Sequence, residues 1–257
     1  MSALLDVRGL GISFGGLRAV SDFSLTLEQG DLRGMIGPNG AGKTTVFNLL
    51  TGVYAPDTGT ILLGGATLNG LRPHRIAAAG LARTFQNIRL FPHLSVLDNV
   101  RVARHLRAVH AIPSVVCRTP GQCAEEDAIT RKARELLEIF HLRPREDEPA
   151  RNLSYGDQRR LEIARAMATA PRVLMLDEPA AGMNPSEKRG LMQLIRDIRG
   201  RGLTIVLIEH DMSLVMQVCE RIAVLDFGEK IAEGPPTEIQ TDPKVIAAYL
   251  GSPSDAA

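Results

Sequence analysis

Residues 37–44 read GPNGAGKT, the most informative segment of this sequence. It matches the pattern G-x-x-x-x-G-K-[ST] and lies between two elements that the flanking sequence predicts. A near-apolar strand over 32–36 runs into the first glycine, and a helix over 43–50 begins at the lysine and ends at Gly52. A chance glycine-rich turn would not require this context. A strand, a glycine-rich loop and a helix in that order are typical of a phosphate-binding loop.

The loop therefore predicts a site for nucleotide phosphates. Its backbone N–H groups converge on phosphate oxygens, and the positive end of the helix dipole favours an anion there. Lys43 is expected to reach the outer phosphates, and the Thr44 hydroxyl to ligate Mg²⁺. The candidate nucleotide-binding residues of this segment are Gly37, Pro38, Asn39, Gly40, Ala41, Gly42, Lys43, Thr44 and Thr45.

On both sides of this loop, apolar strands alternate with helices, and this alternation predicts an α/β fold with a parallel core sheet. Short strands are expected within 4–36 and at 60–63, 81–84, 173–176 and 204–208, with a hairpin formed by 222–226 and 230–233. Helices are expected after residue 73 and at 96–106, 125–140, 156–170 and 186–199, with short helices up to residue 250. An irregular stretch, 112–123, separates two of them. The block from about 90 to 165 is predicted as a helical subdomain inserted into the core.

The composition is that of an ordinary globular protein. Of the 257 residues, 44% are hydrophobic and 23% charged, which excludes a disordered chain, a collagen-like rod and a disulfide scaffold. The net charge of +1 gives no general attraction for nucleic acid. Cys117, Cys123 and Cys219 form no metal-ligand cluster and predict reduced thiols. No signal peptide is predicted, and the longest apolar run, 203–208, is far shorter than the roughly 20 residues of a membrane span.

A second motif follows the predicted strand 173–176, where Asp177 and Glu178 come after four apolar residues. Open α/β sheets bind ligands at the carboxyl ends of their strands, so both acids are expected beside the phosphate-binding loop. Acids after a strand are often only a solvated turn, but together with the loop they predict nucleotide hydrolysis. Asp177 is the candidate Mg²⁺ ligand, and Glu178 is the candidate base for the attacking water.

A third motif discriminates among nucleotide-binding families. Residues 153–160 read LSYGDQRR and open a helix that has Ser154 and Gly156 at its N-terminus. This segment resembles the LSGGQ signature of the ATP-binding cassette (ABC) ATPases. Further residues match that family's motifs in order: Phe14 (adenine stacking), Gln86 (the Q-loop), Asn184 (the D-loop) and His210 (the switch histidine).

The resemblance implies one ABC ATPase domain over 4–251, with a tail at 252–257. The expected architecture is a RecA-like phosphate-loop core with an N-terminal antiparallel β subdomain, spanning 4–89 and 166–251, and a helical subdomain, 90–165, inserted into it. In this family two cassettes close head to tail, which implies that Ser154 and Gly156 complete the ATP site of the other subunit. Phe14 either stacks on the adenine or packs in the core.

The resemblance also implies the catalytic roles. Glu178, His210 and Gln86 are the expected catalytic residues: His210 contacts the γ-phosphate and holds the attacking water, and Gln86 senses the γ-phosphate. Thr44, Gln86 and Asp177 are the expected Mg²⁺ ligands. ATP and Mg²⁺ are thus the expected substrate and cofactor.

Two segments depart from the family pattern. Tyr155 and Asp157 replace residues of the LSGGQ signature, and Asp157 adds a negative charge near an expected anion site, although it also complements the helix dipole. The D-loop, residues 180–184, reads AAGMN and lacks the usual serine and aspartate. The hydrogen bonding of the D-loop is therefore left open, as is the effect of Asp157 on the rate.

Residues 14–20, 83–91, 153–156, 179–185 and 248–251 look like the LivG-type subunits of branched-chain amino-acid importers. This closer resemblance implies an ATPase that energises uptake of branched-chain amino acids from the cytoplasmic face of the inner membrane, as a peripheral subunit. The implied partners are two transmembrane permease subunits, a second ABC ATPase subunit, and an extracytoplasmic substrate-binding protein that acts through the permease. The second cassette is expected to be non-identical, with a homodimer as the alternative. No nucleic-acid partner is expected.

Three alternatives are weaker. The same cassette could serve urea or an amide. A soluble ABC ATPase acting on DNA or ribosomes would need a coiled-coil insertion or tandem cassettes, which this chain lacks. A module that binds ATP without hydrolysing it would not need both Glu178 and His210.

Residues 86–99 predict a contact with the membrane subunits because they carry a dense apolar series: Ile88, Leu90, Phe91, Leu94, Val96 and Leu97. The alternative is that these side chains pack in the core of the helical subdomain.

Overall fold

The first strands of the chain form an antiparallel sheet. The computed structural model describes residues 3–107 and 120–250. Strands β1 (Leu5–Phe14), β2 (Leu17–Leu27), β4 (Thr58–Leu63) and β5 (Ala66–Thr67) lie in the order β2-β1-β4-β5. Of the short strands expected within 4–36, the one at 32–36 is short, but residues 5–27 form two long strands, because the tight turn at Gly15, with φ +57°, lets β1 and β2 pair along their whole length.

The second sheet is the core of the molecule. It comprises β3 (Leu32–Ile36), β6 (Leu81–Arg83), β7 (Val173–Asp177), β8 (Thr204–Ile208), β9 (Arg221–Asp226) and β10 (Glu229–Gly234), in the order β10-β9-β3-β8-β7-β6. All neighbours are parallel except the β9–β10 hairpin. Every residue of β3, β7 and β8 is buried, as in a sheet covered on both faces. The expected α/β core and hairpin are therefore confirmed.

Helices cover the core sheet and form the inserted block. They are α1 (Lys43–Leu50), α2 (Pro73–Ala79), α3 (Val96–Arg104), α4 (Pro120–Ile139), α5 (Tyr155–Ala168), α6 (Pro185–Gly200), α7 (Met212–Val218), α8 (Pro236–Ile239) and α9 (Pro243–Leu250). Short 3₁₀ turns occupy His105–Arg107, Arg143–Arg145 and Ala150–Asn152.

The helical block packs α3 against α4 and α5 around apolar side chains such as Val100, Leu137 and Phe140. Its one clear difference from expectation is the start of α4 at Pro120, within the stretch 112–123 that was predicted to be irregular. Proline is compatible with the first turn of a helix because its missing N–H has no intrahelical acceptor there. Residues 112–119, and with them Cys117, lie outside the described part of the chain.

The apolar core has one cluster on each face of the core sheet. Alternate residues of a strand face opposite sides, so Met35 joins the cluster beneath the antiparallel sheet, and Ile36 joins the cluster beneath the helices. Apolar side chains cover both faces of the core sheet, so polar groups can act only at the ends of its strands. Among residues 3–107 and 120–250, no helix combines the length and apolar character needed to cross a bilayer.

Candidate active site

The carboxyl ends of three core strands lie side by side. Met35 of β3 is in register with Ile208 of β8, and Ile208 is in register with Asp177 of β7. The phosphate-binding loop follows β3, the acid pair lies at the end of β7, and His210 follows β8. The sheet register therefore gathers at one edge three motifs that are far apart in sequence.

Close backbone approaches explain two glycines of the phosphate-binding loop. A Cβ on Gly37 would lie 2.1 Å from the carbonyl oxygen of Leu225 on β9, far inside van der Waals contact. Gly42, with φ +98°, would place a Cβ 2.8 Å from the carbonyl oxygen of Ala19. Only glycine allows the loop to pass this close to its neighbours.

Lys43 is held inside its own loop. Its buried Nζ donates to the carbonyl oxygens of Gly37 at 2.7 Å and Pro38 at 2.8 Å. Burial lowers the pKa of Lys43, while the nearby carboxylates of Glu178 and Asp177 raise it in opposition. The carbonyl groups of the loop thus hold the ammonium in place.

A cavity of about 590 Å³ opens over this loop. Its walls come from the loop, from β1 and β2, from the hairpin tip and from the two loops beyond β6 and β7. The lining residues are Phe14, Leu17, Arg18, Ala19, Asn39, Gly40, Ala41, Gly42, Lys43, Thr44, Thr45, Gln86, Glu178, Phe227 and Gly228.

Phe14 stands on the rim of this cavity and is 44% exposed, so it is not a core residue. Its ring meets that of Tyr54 edge to face, with the centroids 5.1 Å apart. This contact leaves the ring accessible from the cavity. Adenine stacking by Phe14 stays a prediction.

Asp177 is paired with a cation that the sequence reasoning missed. Arg83, at the end of β6, donates from Nη2 to Asp177 Oδ2 at 2.6 Å and from Nη1 to Asn48 at 2.6 Å. The Arg83 and Asp177 side chains are almost fully buried. The only sequence signal for Arg83 was its place at the end of a strand that could neighbour β7.

The structure brings Gln86, Glu178 and His210 together. Gln86 Nε2 donates to Glu178 Oε2 at 2.9 Å, and His210 Nδ1 lies 3.8 Å from the same oxygen. Glu178 has φ +45°, a strained value for a non-glycine residue, and its N–H donates to the carbonyl oxygen of Ile208 at 2.9 Å. The strained residue aims its carboxylate into the cavity.

Glu209 is a buried acid behind this cluster that the sequence reasoning also missed. Its Oε1 accepts from the N–H of Ala180 at 2.8 Å, so it connects the loop after β8 to the D-loop. Its Oε2 lies 3.9 Å from His210 Nδ1. Burial raises the pKa of Glu209; the bond from Ala180 acts in the opposite direction.

The raised pKa of Glu209 predicts a pH-dependent gain from Glu209→Gln. Because the pKa of Glu209 is higher in the folded protein than in the unfolded chain, the folded state binds the proton more tightly. The resulting stabilisation is complete below the ordinary pKa of 4.5 and is lost as the pH rises through the raised pKa of the folded protein. At about pH 8 the wild type must either bury a charge or bind a proton on folding, and both cost free energy, whereas glutamine is neutral and keeps an oxygen for Ala180. We expect the variant to be more stable by on the order of 1 kcal/mol, or about 2–4 °C in Tm.

Thermal melts at several pH values check this, and the gain should shrink toward about pH 4.5. Glu229→Gln, at an exposed position on β10, is the control and should leave the melting curve unchanged. A less stable Glu209→Gln protein at about pH 8 would mean that the buried charge is net stabilising.

The signature residues lie outside the cavity. Ser154 caps α5: its Oγ accepts from the N–H of Asp157 at 3.2 Å and donates to Asp157 Oδ2 at 3.0 Å. The Asp157 carboxylate in turn pairs with Arg145 at 3.1 Å and Arg160 at 3.4 Å. The extra negative charge at this end of α5 is therefore offset by two guanidinium groups. Gly156, the other signature residue, packs beside Glu187.

The D-loop departures have local explanations. Asn184 caps α6, accepting from Ser186 at 2.9 Å and Glu187 at 3.0 Å, while Glu187 accepts from the N–H of Asn184. Gly182 lies against the Tyr155 ring, where an added Cβ would be 3.3 Å from the ring carbon. A large residue in the signature thus faces a residue without a side chain in the D-loop.

The apolar series of residues 86–99 is divided between two environments. Val96 and Leu97 are buried in the helical block, and Leu90 packs partly against it. The part of the contact prediction that rested on Val96 and Leu97 is therefore wrong, because α3 turns both inward. Phe91 and Leu94 are 47% and 37% exposed.

Comparisons with known proteins show which family this chain resembles. A family described as "ABC transporter" matches residues 20–181, and one described as "Branched-chain amino acid ATP-binding cassette transporter" matches residues 229–255. The chain is 50% identical over 250 residues to the high-affinity branched-chain amino acid transport ATP-binding protein LivG of Salmonella typhimurium, covering 96% of this chain and 98% of the relative. It is 47% identical over 249 residues to BraF of Pseudomonas aeruginosa, a protein of the same description, with the same two coverages.

A solved structure is similar over the same extent. The ADP conformation of an ATP-binding cassette of an ABC transporter superposes with a TM-score of 0.85 at 28% identity, covering 98% of this chain and 100% of that one.

Proposed function

This chain belongs to the ABC transporter family of ATP-binding cassettes, and we propose that its ATPase activity drives import of branched-chain amino acids. The observation that carries the ATPase site is the cluster of Gln86, Glu178 and His210 above a phosphate-binding loop. The substrate class rests on the likeness to LivG and BraF, whose descriptions name branched-chain amino acid transport.

The proposed chemistry is attack of water on the γ-phosphate. Glu178 is the general base that orients the water, and His210, beside it, steadies the water and the γ-phosphate. Lys43 reaches the outer phosphates from a position that its loop has already set. Phe14 and the loop residues hold the nucleotide so that the γ-phosphate faces Glu178.

The residues present also fit Mg²⁺. Thr44, Gln86 and Asp177 offer a hydroxyl, an amide oxygen and a carboxylate, and Mg²⁺ prefers such hard oxygen donors along with waters and substrate phosphates. The described residues form no cluster of three or more His, Cys, Asp or Glu side chains suited to a metal. When bound, Mg²⁺ would neutralise charge on the phosphates.

We further propose that the site is completed by a second cassette. Ser154 and Gly156 do not line the cavity of their own chain, so a partner's signature helix would supply those phosphate contacts. Leu17 and Phe227 are 70% and 87% exposed at its rim and are available to such a partner. A non-identical cassette is the proposed partner, with a homodimer as the alternative.

The proposed contact with the two permease subunits is at Phe91 and Leu94, the exposed members of the apolar series in residues 86–99.

The proposed domain division is a core with its β subdomain, 4–89 and 166–251, and a helical subdomain, 90–165. The chain would then work at the cytoplasmic face of the inner membrane. The extracytoplasmic binding protein would act on it only through the permease.

Uptake of labelled substrates tests the transport proposal. We expect deletion of this chain in the organism that encodes it to reduce leucine, isoleucine and valine uptake about tenfold or more, because the partner cassette alone would lack the phosphate contacts that this chain contributes to each ATP site. Urea and acetamide uptake should be unchanged. Restoring the wild-type chain should rescue uptake, whereas the Glu178→Gln chain, which cannot position the water, should not.

The opposite pattern, with leucine uptake intact and urea or acetamide uptake lost, would favour the alternative substrates and contradict the proposal.

A further inference from the structure

Helix α5 carries a buried ion pair that is separate from the catalytic cluster. Arg159 and Glu162 lie one turn apart, with Arg159 Nη1 3.0 Å from Glu162 Oε2, and each residue is only 2% exposed. Burial raises the pKa of Glu162, against the opposing effect of Arg159. Replacing a buried pair of this kind by apolar residues is often neutral or stabilising, so stability alone does not explain it.

Both side chains bind the backbone of the segment that carries Gln86. Arg159 donates from Nη1 to the carbonyl oxygen of Phe85 at 2.8 Å and from Nη2 to that of Gln86. Glu162 Oε1 accepts from the N–H groups of Phe85 at 3.5 Å and Arg89 at 3.3 Å. Four backbone groups of one loop thus have their partners on one helix.

The backbone of this loop depends on partners outside the loop. It follows the end of β6 and has no regular secondary structure before α3 begins, so its backbone groups must find partners elsewhere. Gln86 is itself exposed, and its side chain projects from this tethered backbone to Glu178 at 2.9 Å. A shift of the tether would therefore move the amide of Gln86 away from the catalytic base.

We propose that the Arg159–Glu162 pair is a positioning device that holds Gln86 on Glu178 and connects it to the signature helix. The inference rests on the proposed catalytic role of this cluster. Helix α5 begins next to Ser154, and Arg159 Nη2 also lies 3.2 Å from the Tyr155 hydroxyl, so the signature end of the helix and the Gln86 loop move as one unit. Neither Arg159 nor Glu162 touches the reacting atoms.

A double-mutant cycle with Gln86→Ala tests the proposal. The first variant, Arg159→Met with Glu162→Met, removes the tether without leaving a lone buried charge. We expect the ATPase kcat to fall about tenfold with the KM for ATP changed less than twofold, because the phosphate site is intact while Gln86 is misplaced. In a Gln86→Ala background the same pair of substitutions should cause no further loss of kcat.

The matched control is Lys132→Met with Glu135→Met on α4. These residues form an ion pair of the same spacing, 2.7 Å long, but are about half exposed. Their replacement should leave kcat and KM unchanged.

A second variant covers the case in which the double replacement does not fold. Arg159→Lys keeps a cation beside Glu162, but an ammonium lacks the planar fork that reaches Phe85 and Gln86 together. It should lower kcat several-fold, again with no effect once Gln86 is alanine.

Losses that multiply with that of Gln86→Ala, or a wild-type kcat in both Arg159 variants, would overturn the proposal while the ATPase site stands. A wild-type rate in Glu178→Gln would instead show that the catalytic assignment itself has failed.

Discussion

Glu178→Gln is expected to reduce ATP hydrolysis by about 10²–10⁴-fold while nucleotide binding is kept, because a general base contributes about that much. Glutamine has the same shape and can still contact Gln86 and His210, which lie 2.9 and 3.8 Å from Glu178 Oε2. It cannot accept a proton from water. Phosphate release measures the rate, and fluorescence of a labelled ATP analogue measures binding.

A suitable control for this variant is Glu187→Gln. Glu187 belongs to the capping box of α6, where glutamine can also accept the hydrogen bond, so Glu187→Gln should hydrolyse ATP at the wild-type rate. Hydrolysis at the wild-type rate in Glu178→Gln would remove Glu178 from the mechanism. Loss of ATP binding in that variant would mean that the carboxylate is needed to hold the loop around Lys43.

The second large effect is ATP-dependent dimerisation. The Glu178→Gln protein should be a monomer of 27.8 kDa without nucleotide, and any dimer of twice that mass should require both Mg²⁺ and ATP, as measured by light scattering. The physical reason is that each chain presents only part of the phosphate ligands to its own cavity, since Ser154 and Gly156 lie outside it. Bound ATP would satisfy both halves, and binding energy would then favour the closed pair.

Lys43→Ala in the same background separates ATP-dependent from ATP-independent pairing. It removes the charge-assisted contact to the phosphates and should keep the protein monomeric at ATP concentrations that dimerise its parent. A dimer that forms without ATP, or that survives Lys43→Ala, would contradict the proposed arrangement. A parent that stays monomeric with ATP and Mg²⁺ would exclude the homodimer.

The elements that local sequence governs were predictable. The buried strands and the acid pair at Asp177 depend on neighbours in the chain, namely a run of apolar residues and a strand end, and the spacing of residues 37–44 is itself a local pattern. The cap of α3 is similar, since Ser95 accepts from the N–H of Asp98 three residues on. Such patterns are legible because their physical causes span only a few residues.

The start of α4 and the burial of Val96 and Leu97 could not be predicted from neighbouring residues in the sequence. A proline and a glycine at residues 120 and 121 indicate a loop by propensity, yet they form the first turn of a helix packed in the helical block. Apolar side chains that could face either a partner or the core were assigned only when α3 packed against α4 and α5. Tertiary packing outweighs local preference in both cases.

By itself, the sequence determined that this chain folds around a phosphate-binding loop, that an acid pair follows a buried strand, and that both meet at one sheet edge. Only the tertiary structure decided which side chains support them: Arg83 on Asp177, Glu209 on the D-loop, and the Arg159–Glu162 pair on the Gln86 loop. The physical reason is distance along the chain. Arg159 and Phe85 are 74 residues apart, and no periodicity or motif records a contact that exists only after the sheet and helices have packed.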